Sequence, residues 1–336
     1  MVAVHRRAGA GLPHGALQVL KKPDYKPVAV GSVAAASRPA ALPDATTELP
    51  PISFEVPETL ADCLDHGPSW YGHSAVSEFL QCPERSRLRA AGVRPKPIGQ
   101  VVGPAELDAL GIGVVLHALR AIRYVHGMAT AIDALQRWHV GMTGEDALKI
   151  FTLLRLYDER WPLAEEPFTV LGIEVTVFSA VVGPVGPVIR SVRYDGVVRD
   201  RSSGAVMSHE FKTSSRKGGM STLNPYRAQI YSQCMIWNAN PDLVRLYGPM
   251  EYVIGDIAIK TDVPSFERVG PMYINVHQQE LARRYMTLPE ATRYPVMPDG
   301  SYPPMLHSCY GRWRPCEFLS GCHDGAWGSY TFLEGA

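Results

Sequence analysis

Asp195, Glu210 and Lys212 are the residues whose types and spacing point most directly to chemistry. They lie within 191–213, where two β-branched stretches flank a turn over Arg201–Gly204. Positions 195 and 210 are symmetric about the Ser202–Ser203 step, so in an unbulged hairpin Asp195 faces Glu210. The Cβ atoms of such a pair stand roughly 5 Å apart. Glu210 and Lys212 then share one strand face, and Phe211 points to the other. Two like charges facing each other destabilise a hairpin, and a divalent cation between them removes the conflict. Hard oxygen ligands of this kind suit Mg²⁺ or Mn²⁺. A lysine beside that ion can orient a water or offset charge developing on a phosphate. On spacing alone, the same residues also read as a solvated strand face carrying a Glu–Lys pair.

Cysteine placement is the second chemical signal. Cys309, Cys316 and Cys322 lie close together near the C-terminus, and Cys82 lies far upstream. No secretory signal is legible in the sequence, which favours a reduced, cytoplasmic setting and makes clustered cysteines candidate metal ligands. Zn²⁺ takes four thiolates, or swaps one for His307 or His323. Cys234, among Ile230, Met235 and Ile236, reads as a core thiol. Cys63 is a spare, or an alternative ligand.

The elements that must position these residues follow from periodicity. Residues 74–91 predict a helix or helix pair, with Pro83 suited to a first helical position. Glu106–His126 carries Leu107, Leu110, Val114, Val115, Leu119 and Ile122 at helical spacing and is closed by Gly127. Glu145–Trp161 is a further helix. Thr169–Val182, Val188–Asp200 and Ala205–Thr213 predict strands. A helix follows over Tyr226–Ala239, then strands at Tyr252–Lys260 and Met272–Val276, and a helix over Gln278–Leu288. This order predicts an α/β or α+β domain with a central sheet. Residues 1–50, rich in Ala, Pro, Gly and Val, predict a poorly ordered tail, with the domain occupying 51–336.

Composition narrows the classes. The 336 residues carry 33 basic and 33 acidic side chains, with 46% apolar and 20% charged. That excludes wholesale disorder and a fibrous chain. Zero net charge argues against indiscriminate coating of nucleic acid and leaves room for a local basic groove. Arg190, Arg193, Arg199, Arg201, Arg216, Lys217 and Arg227 cluster around the hairpin and the next helix and could line one. Trp161, Tyr194, Tyr226 and Tyr231 could stack on unpaired bases. No apolar run approaches the ~20 residues of a membrane helix.

Asp195 with Glu210-Phe211-Lys212-Thr213 resembles the core motif of the PD-(D/E)XK nucleases, in their RecB-like branch. Other segments are similar in the same order. Ser74–Pro83 resembles the entry motif of the iron–sulfur members of that branch. Gly113 and His117 resemble its Gly-x-x-x-His helix motif. Glu165-Glu166-Pro167-Phe168 resembles the acidic-aromatic start of the strand leading to the motif aspartate. Gln229 resembles the glutamine on the following helix; where the family often has Tyr four residues later, this chain has Gln233. The likeness spans about residues 74–325.

The resemblance implies a restriction-endonuclease-like mixed sheet flanked by helices and closed by a cysteine-ligated cluster. It implies a metal-dependent DNA exonuclease acting at ends or on single strands, in recombination, repair or replication. His117, Asp195, Glu210 and the carbonyl of Phe211 would ligate the ion, Lys212 would serve the reaction, and Gln229 would hold substrate or the lysine. Cys82, Cys309, Cys316 and Cys322 would hold a [4Fe-4S] cluster, four thiolates being its usual ligand set. No Walker A sequence is present, so a helicase or recombination partner would act in trans. The alternatives are a catalytically silent DNA-binding or assembly protein of this fold, and a structural zinc protein.

Overall fold

A computed structural model describes residues 45–64, 72–90, 94–95, 106–107, 109–214, 223, 226–261, 263–291 and 330–331. The chain enters through a short helix α1 (Leu60–Leu64), then α2 (His73–Gln81) and α3 (Pro83–Ala90). Cys82 separates α2 from α3, and Pro83 opens α3 at its first position, where a missing N–H costs nothing. A two-residue strand β1 (Arg94–Pro95) precedes α4 (Ala109–His126). Gly127, at φ 89, ends α4 and starts α5 (Met128–Trp138), a helix that periodicity did not separate from loop. α6 (Gly144–Arg160) is capped by Thr143, whose side chain accepts the Asp146 N–H.

The sheet follows: β2 (Phe168–Gly183), β3 (Gly186–Asp200) and β4 (Val206–Ser214). The β3–β4 turn is organised by Asp200, which accepts the N–H groups of Ser202 at 3.0 Å and Ser203 at 2.6 Å. α7 (Arg227–Asn238) and α8 (Pro241–Tyr247) then cross back to β5 (Met250–Ile259). β6 (Ser265–Tyr273), α9 (Val276–Ala291) and β7 (Tyr330–Thr331) complete the described elements. The order is β2-β3-β4-β5-β6, antiparallel except for the parallel pair β4–β5. This is a mixed α/β fold, with a five-stranded mixed sheet flanked by helices.

One predicted strand needs correction. The late strand lies at Ser265–Tyr273 rather than Met272–Val276. Asn275 and Gln278 exchange bonds, each N–H donating to the other's side-chain oxygen, and this reciprocal cap starts a helix at Val276. α8 was also missed, although Asn240 accepts from the N–H groups of Asp242 and Leu243 and Pro241 takes the first position.

Each face of the sheet carries its own core. On one, Val175, Val177, Val192, Tyr194 and Val197 pack with Ile230, Cys234, Ile236 and Trp237 of α7 and Met286 of α9. On the other, Phe211 and Ala258 pack with α4 and α6 side chains such as Val115, Leu119, Leu153 and Tyr157. β4, covered on both faces, is buried from Val206 to Phe211. The last residues of the expected tail are held: Thr46 donates to the Phe178 carbonyl and accepts the Phe178 N–H, both at 2.9 Å. Leu49 is buried in the first core. Residues 1–44 lie outside the described residues. Among the described residues, no helix is long and apolar enough to cross a membrane.

Candidate active site

β3 and β4 pair in the register that sequence symmetry predicts: Val197↔Ser208, Val198↔Met207, Arg199↔Val206. The ladder then stops. β3 stays with β2, and β4 continues along β5, with Glu210 beside Gly255 and Lys212 beside Ile257. The expected face-to-face pairing of Asp195 and Glu210 is therefore corrected. Opposed carboxylates repel, and parting strands leave backbone N–H groups that need acceptors. Asp195 takes one of these: its Oδ2 accepts the Phe211 N–H at 2.7 Å. Asp195 is buried, and Glu210 is 0% exposed.

α4 brings a histidine to the same place. A Cβ at Gly113 would lie 3.0 Å from Thr213 Oγ1, so the missing side chain lets α4 lie tight against β4. One turn on, His117 Nδ1 stands 3.6 Å from Asp195 Oδ2, and its ring meets Phe211 edge-on at 4.8 Å. Burial first, then the charges of Lys212 and Arg120, hold its pKa well below the ordinary value, so the imidazole is neutral at pH 7.

A third ligand comes from β2. Glu174 sits at φ 50, unusual for a residue with a Cβ, just past the register shift between Val170 and Gly172. Its Oε2 lies 3.4 Å from Arg193 Nε, and its Oε1 is buried without a hydrogen-bond partner. One ligand atom from each of His117, Glu174 and Asp195 lies within 4.8 Å of the others, so one cation could be shared. Burial, then the Asp195 charge, pushes the Glu174 carboxyl up to about 8. Sequence reasoning missed Glu174, whose only signal is a lone carboxylate inside a β-branched run.

Glu210 turns to α7 instead. Gln229 Nε2 donates to its Oε1 at 2.9 Å, Gln233 Nε2 donates to its Oε2, and Lys212 Nζ donates to its Oε1. Ser208 donates in turn to Gln233 Oε1 at 2.9 Å. The two glutamines, one helical turn apart, fix the carboxylate plane. Burial works against the Lys212 charge, but Glu210 and Asp195 outweigh it and raise its pKa. The ammonium lies 5.1 Å from the ring of Tyr226, which is 38% exposed. Phe211 contributes its N–H to Asp195 and its ring to α4. Burial first, then the Lys212 charge, lowers the pKa of His73, the first residue of α2, whose ring stacks on Tyr285 at 5.3 Å.

The predicted basic groove is only partly present. Arg190 is buried and donates to the Met286 carbonyl at 2.6 Å, and Arg199 donates to the carbonyls of Gly204 and Tyr247. Arg193, Arg201 and Arg227 are exposed to differing degrees, while Arg216 and Lys217 lie outside the described residues. Tyr194 is a core residue, its hydroxyl donating to the Gln233 carbonyl at 2.7 Å, and Tyr231 accepts from Gln278. Trp161 lies against the Arg268 guanidinium at 4.3 Å. Of the four predicted aromatics, Tyr226 is the exposed one, 5.1 Å from the Lys212 ammonium.

No family model matches the chain. No curated protein matches it either. Among solved structures, a Eubacterium rectale protein described as a "Putative exonuclease" is similar at TM-score 0.43 and 11% identity, over 80% of this chain and 90% of that one. The crystal structure of SSO0001 is similar at TM-score 0.28 and 15% identity, over 54% of this chain and 75% of that one. Both likenesses are loose, so the chemistry must be read from the side chains.

The cysteines divide by environment. Cys63 and Cys234 are core thiols at 2% and 0% exposure. Burial pushes the Cys63 thiol up to about 12 and the Cys234 thiol higher still, so neither offers a ready thiolate. Cys82 is buried at the α2–α3 junction, where its N–H donates to the Glu78 carbonyl at 2.9 Å and its carbonyl accepts the Ser86 N–H at 3.1 Å. Cys309, Cys316 and Cys322 lie outside the described residues.

Proposed function

We propose that this chain is a metal-dependent deoxyribonuclease of the PD-(D/E)XK type, hydrolysing phosphodiester bonds at DNA ends or on single strands. The observation that carries it is Lys212, held against a glutamine-clamped Glu210 where β3 and β4 part, beside the His117–Glu174–Asp195 triangle. The orphaned Oε1 of Glu174 and the neutral imidazole of His117 fit a divalent cation, and two carboxylates favour Mg²⁺ or Mn²⁺. Such an ion supplies charge neutralisation at a phosphate and acidifies a bound water.

The chain's own residues do the rest. Lys212 places a fixed ammonium where charge develops on the phosphate and can hold a water by hydrogen bond. Gln229 and Gln233 keep Glu210 from swinging onto Asp195. Tyr226, half-open above Lys212, offers a ring on which an unpaired base can stack. Single strands labelled and blocked at either the 5′ or the 3′ end test the activity: nucleotide release is expected with Mg²⁺ or Mn²⁺ and none with EDTA. Intact strands under all conditions would refute it.

Glu174 gives a pH signature. A carboxyl pushed up to about 8 holds a proton at neutrality, and cation binding must release it. Mn²⁺ affinity should rise from pH 6.5 to 8.5 and level off above, with protons released in calorimetry across buffers of different ionisation enthalpy. Because the folded pKa is raised, the metal-free fold loses stability as pH climbs from the unfolded value through about 8. Glu174→Gln should therefore raise the metal-free melting midpoint at pH 8.5 and remove the pH dependence of Mn²⁺ binding.

The four-cysteine site belongs to the same proposal: Cys82, Cys309, Cys316 and Cys322 would hold a [4Fe-4S] cluster, with Zn²⁺ as the alternative. Two observations support it. Cys82 is buried at a helix junction, and β7, just beyond the three C-terminal cysteines, pairs with β1, just beyond α3. Cluster-bearing protein should absorb near about 400 nm. Cys316→Ser should give colourless, unstable protein, and a stable brown product would contradict the assignment.

A further inference from the structure

Arg120 is 1% exposed, and none of its three guanidinium nitrogens has a hydrogen-bond partner. It lies on α4 one turn beyond His117. Its guanidinium rests on the Phe211 ring at 4.8 Å, so the two side chains share one aromatic support. An arginine cannot shed its charge, and an uncompensated buried cation is strongly unfavourable. The groups that favour this charge are, in order, Tyr157, Asp195, Tyr124 and, once it has lost its proton, Glu174, so both carboxylates of the candidate metal triangle are among them. Neither forms an ion pair with it, so Arg120 acts on them through space.

We propose that Arg120 is a positioning residue that stands in for a second metal ion and limits the His117–Glu174–Asp195 triangle to one. This rests on the metal-site reading above and deepens it. With Glu174, Asp195 and Glu210 ionised, Arg120 and Lys212 cancel two of the three negative charges. One divalent ion then leaves a single positive charge, matched to the single negative charge of a phosphodiester. A second ion would leave a threefold excess in a site walled by Phe211, where like charges repel far more strongly than in water.

The test is Mn²⁺ titration of the full chain without DNA, read by the paramagnetic resonance of free Mn²⁺. Wild type should bind one ion. Arg120→Met should bind the first ion about tenfold more tightly, since a like charge is gone, and should admit a second. Arg120→Lys, which keeps the charge, should behave as wild type. Two ions on wild type, or Arg120→Met within twofold of wild type, would overturn the proposal. Should Arg120→Met not fold, Arg120→Gln, which also removes the charge, is judged by the same criteria, and two ions on wild type still overturn the proposal. One bound ion without DNA cleavage would refute the nuclease reading alone, and cleavage with two bound ions would refute this inference alone.

Discussion

Lys212→Ala is expected to lower metal-dependent DNA degradation by about 10²–10³-fold, the usual loss when one preorganised stabiliser of transition-state charge is removed. The ammonium contacts Glu210 and lies over Tyr226, on the stretch of β4 beyond the end of the β3–β4 ladder. Its loss leaves Glu210 buried, yet both carboxylate oxygens keep a donor, Gln229 on one and Gln233 on the other. The fold should therefore survive, and Mn²⁺ binding, which depends on His117, Glu174 and Asp195, should persist. Single-turnover decay of an end-labelled strand, run beside Mn²⁺ titration, separates the two effects. Equal decay rates in wild type and variant would remove Lys212 from the chemistry. Loss of ion binding together with rate would make its role structural.

The features legible in the sequence were those with a strict local period. A hairpin repeats every two residues, so the symmetric placement of Asp195 and Glu210 gave the β3–β4 register as observed. Where the ladder would end was not legible, because β4 leaves β3 for a parallel partner from distant sequence, β5. That departure decides which carboxylates meet. Asp195 goes to Phe211, His117 and Glu174, while Glu210 goes to α7. Glu174 itself needed β2 paired with β3 in three dimensions before its charge meant anything.

Gln233 was visible as a departure from the family pattern, yet its use is clear only once α7 lies over β4 and Ser208 reaches its amide oxygen. The arginines show the converse. Arg190 and Arg199 sit near the hairpin in sequence, but backbone carbonyls on α9 and α8 claim them, so they tie elements together rather than line a groove. Short capping signals were present and underused: Asn240-Pro241 and the Asn275–Gln278 pair each start a helix.

Arg268→Met is expected to destabilise the folded chain by about 3–5 kcal/mol, the range for breaking a buried ion pair from one side. Arg268 on β6 donates to Glu166 at 2.6 and 3.1 Å and to Asp256 at 2.6 and 2.8 Å. Glu166 is 3% exposed and Asp256 0%, so neither carboxylate can recover its hydration. Tyr124 donates to Glu166 at 2.8 Å, Tyr157 donates to Asp256 at 2.7 Å, and His209 Nε2 lies 2.7 Å from the same Asp256 oxygen. Burial works to raise the Asp256 pKa, but His209 and Arg268 outweigh it and hold it well below the ordinary value. Its stabilisation is therefore present above the unfolded carboxylate pKa and is lost as pH falls below it. Removing Arg268 should shrink the gain in stability that Asp256 gives as pH rises from the acid range, since His209 alone then offsets its burial. Pairing the change with Glu166→Gln should recover part of the loss, because one stranded charge is gone. Urea melts of the single and double variants at pH 5 and pH 8 measure this. A loss under 1 kcal/mol for Arg268→Met, on the scale of exposed pairs, would mean that water already screens the network. Asp256 pairs with Phe211 in the β4–β5 register. The network thus braces the strand residue that gives its N–H to Asp195 and its ring to His117 and Arg120. Arg268→Met should consequently weaken Mn²⁺ binding even at temperatures where the chain stays folded.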